Sequence, residues 1–191
     1  MEFEPMEGLP EVILVTPDAR SDESGRRVEL YNQDKYEEGG VAWQFAQASL
    51  ASSRRGVLRG LHYQHPRGQG VLVSVTRGEA WCVAVDVRVG SPTYGKWRGA
   101  RLSAESGQQL WLPSTYAHGW LVLSDDADVV SQCTDMDDPT SHRTLLWNDA
   151  SLGIEWPGVA AGATPCVSAE DAAGRTLAAL ASADELPIFI G

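Results

Sequence analysis

The sequence predicts an all-β protein, an antiparallel jelly-roll sandwich or barrel, on three observations. Short segments rich in β-branched and apolar residues follow one another at nearly regular spacing, each bounded by Gly, Pro, Ser or Asp. No helical period runs between them. The chain of 191 residues, 43% of them hydrophobic, is long enough for one good core, so a single domain over residues 1–191 is expected.

Met1 to Glu38 is polar and reads as irregular. A strand starts just after Arg59-Gly60, and simple alternation puts Gly60, His62 and Gln64 on one face with Arg59, Leu61 and Tyr63 on the other. Val71 to Thr76 is β-branched, and Arg77-Gly78 joins it as a hairpin to Glu79 to Val89. In that second strand Trp81, Val83, Val85 and Val87 alternate with Cys82, Ala84, Asp86 and Arg88. Further strands are expected at Trp97 to Leu102, Gln109 to Leu112, His118 to Leu123 and Val129 to Thr134. A short C-terminal helix follows, with Ser168 as N-cap, Glu170 and Asp171 in an acidic first turn and Ala172 to Ala183 as its body, packed outside the barrel.

A net charge of −11 argues against nucleic acid, whose phosphates need a basic face. Arg54, Arg55, Arg59 and Arg67 cluster locally, a pattern suited to a small anion such as a diphosphate. Cys82, Cys133 and Cys166 are odd in number and widely spaced, which points to neither a disulfide framework nor a zinc ribbon. Two of them read as core thiols. No stretch is apolar enough for a membrane span and the N-terminus has no apolar leader, so a cytoplasmic address is expected.

Three segments carry a resemblance. Gly56-Val57-Leu58-Arg59-Gly60-Leu61-His62-Tyr63-Gln64, Leu112-Pro113-Ser114-Thr115-Tyr116-Ala117-His118-Gly119-Trp120 and Trp147-Asn148-Asp149 with Gly153-Ile154-Glu155-Trp156-Pro157 keep an order and spacing that resemble the dTDP-4-dehydrorhamnose 3,5-epimerase (RmlC-type) family. The resemblance runs from about Val12 to about Pro187. It implies a cupin-type jelly roll, a homodimer with N-terminal edge strands exchanged between subunits, and a dTDP-sugar substrate. It also implies chemistry without a cofactor, in which a histidine and an aspartate remove a proton beside a sugar ketone.

On that resemblance the catalytic residues are His62 as base, Asp149 as its orienting carboxylate and Ser131 at the proton donor's position. The substrate-binding positions are Arg59, Gln47, Ser49, His118, Val71 and Arg26. Two of these depart from the family pattern, since Val71 stands where a lysine steadies the enolate oxygen and Ser131 where a tyrosine returns the proton. Valine has no donor, and serine is a weak acid beside a phenol. Ser131, Tyr63 and Tyr116 stay open as the acid. Ser24 occupies the phosphate-binding arginine's position, with Arg26 or Arg27 as neighbours able to compensate, and Asp137 lies where an aromatic often stacks.

A metal is not expected, because cupin metal sites use an H-x-H pair on one strand face and His62-x-x-His65 sends its rings to opposite faces. The function expected is 3- or 3,5-epimerisation of a dTDP-4-keto-6-deoxyhexose. The alternative is a divergent enzyme of bacterial specialised metabolism that isomerises, dehydrates or cyclises a non-nucleotide carbonyl compound. A catalytically inert binding homologue is the third reading.

Overall fold

The computed structural model describes residues 1–158 and 164–190. Its first half runs β1 (Glu2–Met6), β2 (Leu9–Thr16), β3 (Ala19–Asp22), β4 (Gly25–Val28), α1 (Gln33–Glu38), β5 (Gln47–Arg54), β6 (Leu58–Gln64) and β7 (Val71–Arg77). The second half adds β8 (Glu79–Asp86), β9 (Trp97–Ser103), β10 (Gln109–Leu112), β11 (Tyr116–Val122), β12 (Asp126–Cys133), β13 (His142–Thr144), α2 (Ala169–Ala172) and α3 (Leu177–Ser182).

Two antiparallel sheets form a cupin-type jelly roll. One has six strands in the order β1-β2-β10-β7-β12-β5, and the other five in the order β13-β6-β11-β8-β9. Alternation decides what each face does. Val71, Val73 and Val75 of β7, Val129 and Cys133 of β12, and Cys82, Ala84, Trp120 and Val122 of the other sheet meet between the layers. The opposite face of the five-stranded sheet is also apolar. There Leu61, Tyr63, Val83, Val85 and Val87 pack under Leu177 and Leu180 of α3. The two sides predicted for β8 are therefore both buried, one in each core.

The N-terminal segment is more ordered than its polarity suggested. Leu9, Val12 and Val15 of β2 are fully buried, and β2 pairs with β10 of the same chain. Placing this segment in the chain's own core is thus not difficult, and the expectation of an irregular stretch is corrected. Gln47–Arg54 was not anticipated as a strand. It is polar, mostly exposed and takes the sheet edge, paired with β12.

The expected single helix is two. Ser168 caps the first, accepting from Asp171 N at 3.0 Å, but the chain breaks before Leu177. Arg175 bonds instead to the β13 region, its N–H donating to Thr144 O at 3.0 Å while Leu146 N–H donates to Arg175 O at 2.8 Å. Gly174 allows this, since a Cβ there would come within 3.0 Å of the Leu146 backbone. Docking against the strand outweighs the continuation of an Ala- and Leu-rich helix that propensity favours.

Candidate active site

A cavity of about 240 Å³ opens between the sheets at the β13 end. The five-stranded sheet contributes His62, His118, His142 and Thr144, and the opposite wall Val71, Ser131 and Cys133; Gln69 and Glu170 also line it.

His62 is placed by a close approach of two strands. Gly60 has φ +115°, and a Cβ on it would lie 2.7 Å from Gly119 Cα and from His118 O. Only glycine fits both the angle and the space. The ladder between β6 and β11 shifts register here: His118 faces His62 but Trp120 faces Arg59. The irregularity has a consequence for Arg59. Its guanidinium sits 5.7 Å over the Trp120 ring, a residue of the inter-sheet core, and its Nε reaches Ser53 of the other sheet at 3.4 Å. Arg59 thus shares the inner side with His62, whereas Leu61 and Tyr63 stay outside; unbroken alternation assigned it to the opposite face. It lies beyond the residues that line the cavity.

The His62 ring is 45% exposed, and its Nε2 lies 2.6 Å from Oδ1 of Asp171, which is only 4% exposed. Burial pushes the Asp171 carboxyl up. The hydrogen bond and charge of His62, with Ser168 and the Gly60 backbone, outweigh that effect and hold it below its ordinary value. With Nε2 donating to this carboxylate, Nδ1 is the nitrogen left to accept a proton. His118 is pushed down to about 4 by desolvation and by the charge of His62 beside it, so it is neutral at pH 7.

Asp149, expected to orient His62, is engaged elsewhere. It accepts from Ser151 N at 2.9 Å, Ser151 Oγ at 2.8 Å and Leu177 N at 2.7 Å, tying the turn after Trp147 to the start of α3. The histidine's partner is Asp171, which the sequence reading treated as part of a helix cap. A signal did exist. Asp171 is nearly completely buried, and an acidic residue at a buried turn of a helix needs a partner.

The other expected residues divide. Val71, Ser131 and His118 line the cavity. Gln47 does not; its Oε1 accepts from Asp137 N at 2.9 Å. Ser49 pairs with Ser131 along the β5–β12 ladder and also lies off the lining. Arg26 is spent on the backbone carbonyls of Ala104, Glu105 and Ser106, so it closes a loop rather than meeting the cavity of its own chain. The arginine cluster is dispersed too, with Arg55 paired to Asp125 at 2.9 Å and Arg67 within 3.8 Å of Asp138.

Of the two tyrosines, Tyr63 is among the residues lining the cavity and Tyr116 is not. Tyr63 donates to Glu185 O at 2.9 Å and Tyr116 accepts from Arg88 at 2.7 Å, and burial raises both well above the usual phenol. Cys82 and Cys133 are buried as expected of core thiols, and Cys166 is exposed. The residues that sequence reasoning missed are Asp171, against His62, and Glu170, Gln69, Cys133, His142 and Thr144 of the lining; they come from α2, the loop after β6, β12 and β13, and meet only in the folded chain.

Comparison with known proteins agrees with this architecture. A family model described as dTDP-4-dehydrorhamnose 3,5-epimerase matches residues 7–179. A dTDP-4-dehydrorhamnose 3,5-epimerase of Pseudomonas aeruginosa is 46% identical over 180 residues, 94% of this chain and 96% of that one. A protein of the same name from Neisseria gonorrhoeae is 46% identical over 170 residues, 89% of this chain; the match covers about half, 51%, of that longer relative. The crystal structure of dTDP-6-deoxy-D-glucose-3,5-epimerase RmlC from Legionella pneumophila in complex with dTDP-4-keto-L-rhamnose superposes with a TM-score of 0.92 at 40% identity, covering 100% of this chain and 99% of the other.

Proposed function

Because the chain belongs to the dTDP-4-dehydrorhamnose 3,5-epimerase family, we propose that it is an isomerase epimerising a dTDP-4-keto-6-deoxyhexose at C3, or at C3 and C5. The observation that carries this reading is His62, half exposed in the cavity with Nε2 on the buried carboxylate of Asp171. The remaining nitrogen takes the proton from the carbon beside the ketone, the C–H pair becomes the new C=C bond, and the carbonyl π pair moves to oxygen. Return of a proton to the other face of that carbon completes the inversion.

Val71 and Ser131 limit the rate. Both are in the cavity wall, and neither offers a cation or a phenol to the developing enolate. Where no other wall group takes its place, losing one oxyanion donor typically costs on the order of 10² to 10³ in rate. Slow exchange at a single carbon is therefore expected when the protein is incubated in D₂O with dTDP-4-keto-6-deoxyglucose, with little rhamnose-configured product and no effect of a chelator. Efficient deuteration at both carbons shows that other groups have taken over both roles; no exchange at all counts against the epimerase reading. In that case the alternative, a non-nucleotide carbonyl substrate, gains from Arg26 being committed to backbone carbonyls.

The same reading includes a homodimer and a cytoplasmic address. Among the described residues, no helix is long and apolar enough to cross a membrane. The dimer is favoured by β5, the edge strand of the six-stranded sheet, and by the apolar side chains of Leu50 and Trp43, 62% and 57% exposed. Sedimentation at micromolar concentration is expected to give twice the chain mass, and a monomer there removes the dimer from the proposal.

A further inference from the structure

One histidine of the cavity wall belongs to a second histidine–aspartate pair. His142 Nε2 is hydrogen-bonded to Asp137 Oδ1, and His142 lines the same cavity as His62. Register fixes how the two rings relate. β13 pairs with β6 so that Thr144 faces His62 and His142 faces Gln64, which makes His142 the diagonal neighbour of His62 on the same sheet face. Diagonal neighbours in an antiparallel pair stand about 7 Å apart, close enough for both to reach one small substrate.

The second pair is held by its surroundings. Gln47 Oε1 accepts from Asp137 N at 2.9 Å, and Gln64 Oε1 accepts from Asp138 N at 2.9 Å. Asp138 in turn gathers Thr140 N, Thr140 Oγ1 and Ser141 Oγ within 3.0 Å, which stiffens the loop between β12 and β13. Gln47 therefore acts on the site through Asp137, as a positioning residue. The facing wall supplies Val71, Ser131 and Cys133, and burial pushes the Cys133 thiol up to about 11. Of the cavity's side chains outside the His62 pair, His142 is the histidine that a carboxylate holds in place.

We propose that His142, supported by Asp137, is the electrophilic group of this site: it donates from Nδ1 to the carbonyl oxygen as His62 removes the neighbouring proton. The inference rests on the epimerase reading. The electrons balance as follows. The C–H pair forms the C=C bond, the carbonyl π pair passes to oxygen, and the oxygen takes a hydrogen bond or proton from an imidazolium whose other N–H is held by Asp137. When a proton returns to carbon, the oxygen gives back what it took and His142 is restored.

The test is deuterium wash-in from D₂O into dTDP-4-keto-6-deoxyglucose, followed by NMR for the wild type, His142→Gln and Asp137→Asn, with the thermal shift on adding dTDP as a control for folding and binding. A loss of about 10² to 10³ in exchange rate is expected for His142→Gln, the cost of one oxyanion donor. Asp137→Asn is expected to fall in between, and the dTDP-induced shift to stay as in the wild type. Wild-type exchange with His142→Gln within threefold of it overturns this inference and leaves the epimerase reading standing. A wild type that neither exchanges nor responds to dTDP removes both. If His142→Gln loses its dTDP shift together with its activity, the residue holds the nucleotide instead, and the electrophilic role is overturned.

Discussion

Replacing His62 by alanine is expected to lower carbon-bound proton exchange by at least about 10², the lower end of what a positioned general base contributes. The ring lines a cavity of about 240 Å³, and its Nε2 is held by a buried carboxylate. Asp171→Asn is expected to cost on the order of 10² or more as well, although the shape is kept. An amide can present either its oxygen or its NH₂ to Nε2, and the second choice turns the proton onto the wrong nitrogen. The same exchange measurement on Asp149→Asn is expected to give a rate close to the wild type, because that carboxylate bonds Ser151 and Leu177. A His62→Ala protein that keeps a tenth of the wild-type rate defeats the assignment. So does an Asp149→Asn protein that loses as much as Asp171→Asn while remaining folded.

Asp149→Ala should show its effect in stability. One carboxylate, 5% exposed, receives three donors, two from Ser151 and one from the first residue of α3. Hydrogen bonds to a charged group contribute about 1.5–3 kcal/mol each before relaxation, so a net loss of about 3 kcal/mol is expected once water reaches the Ser151 side. For a chain of this size that corresponds to a fall in Tm of roughly 6–12 °C. The pH dependence carries a definite sign. Burial raises the Asp149 carboxyl, but the bonds from Leu177 and Ser151 hold it below its ordinary 3.8, so its native value is depressed. Its contribution is complete above 3.8 and is lost as pH falls through the lower native value. Thermal melts of the two proteins should therefore differ most near neutrality and converge in strong acid. A constant difference at all pH values means that packing, and not the charge, supplies the stability.

Much of the fold follows from local chemistry. The alternation of Cys82 and Ala84 against Val83, Val85 and Val87 and the β-branched run from Val71 are properties of neighbouring residues, and these strands form where those properties put them. The hairpin expected at Arg77-Gly78 is corrected: β7 pairs with β10 and β12, β8 with β11 and β9, and the chain crosses there from one sheet to the other, a choice that turn residues alone do not encode. His62 was legible for the same reason, since its strand and its setting between Gly60 and Gln64 are continuous in sequence. β5 was not legible. Its pattern is polar on both sides, and what makes it a strand is the neighbour β12, which no local rule contains.

The composition of the site was decided by tertiary structure. His62 and Asp171 are separated by 109 positions, and they meet because the chain breaks after α2 to dock Arg175 on the β13 region instead of continuing as a helix. That choice is between one helical turn and a set of strand hydrogen bonds supplied from elsewhere, so the sequence around Asp171 alone cannot express it. Asp149 and Asp171 are both acidic, both buried and both near the start of a short helix, and only the packing of α3 gives one to Leu177 and the other to His62. The inward placement of Arg59 has a similar origin, because the register shift at Gly60 is imposed by the backbone of Gly119 pressing against it from the next strand. By itself the sequence determined most strands of the barrel and put His62 on one of them. Which carboxylate serves that base, and which second histidine shares its cavity, depended on contacts between distant segments whose energies arise only once the two sheets have closed.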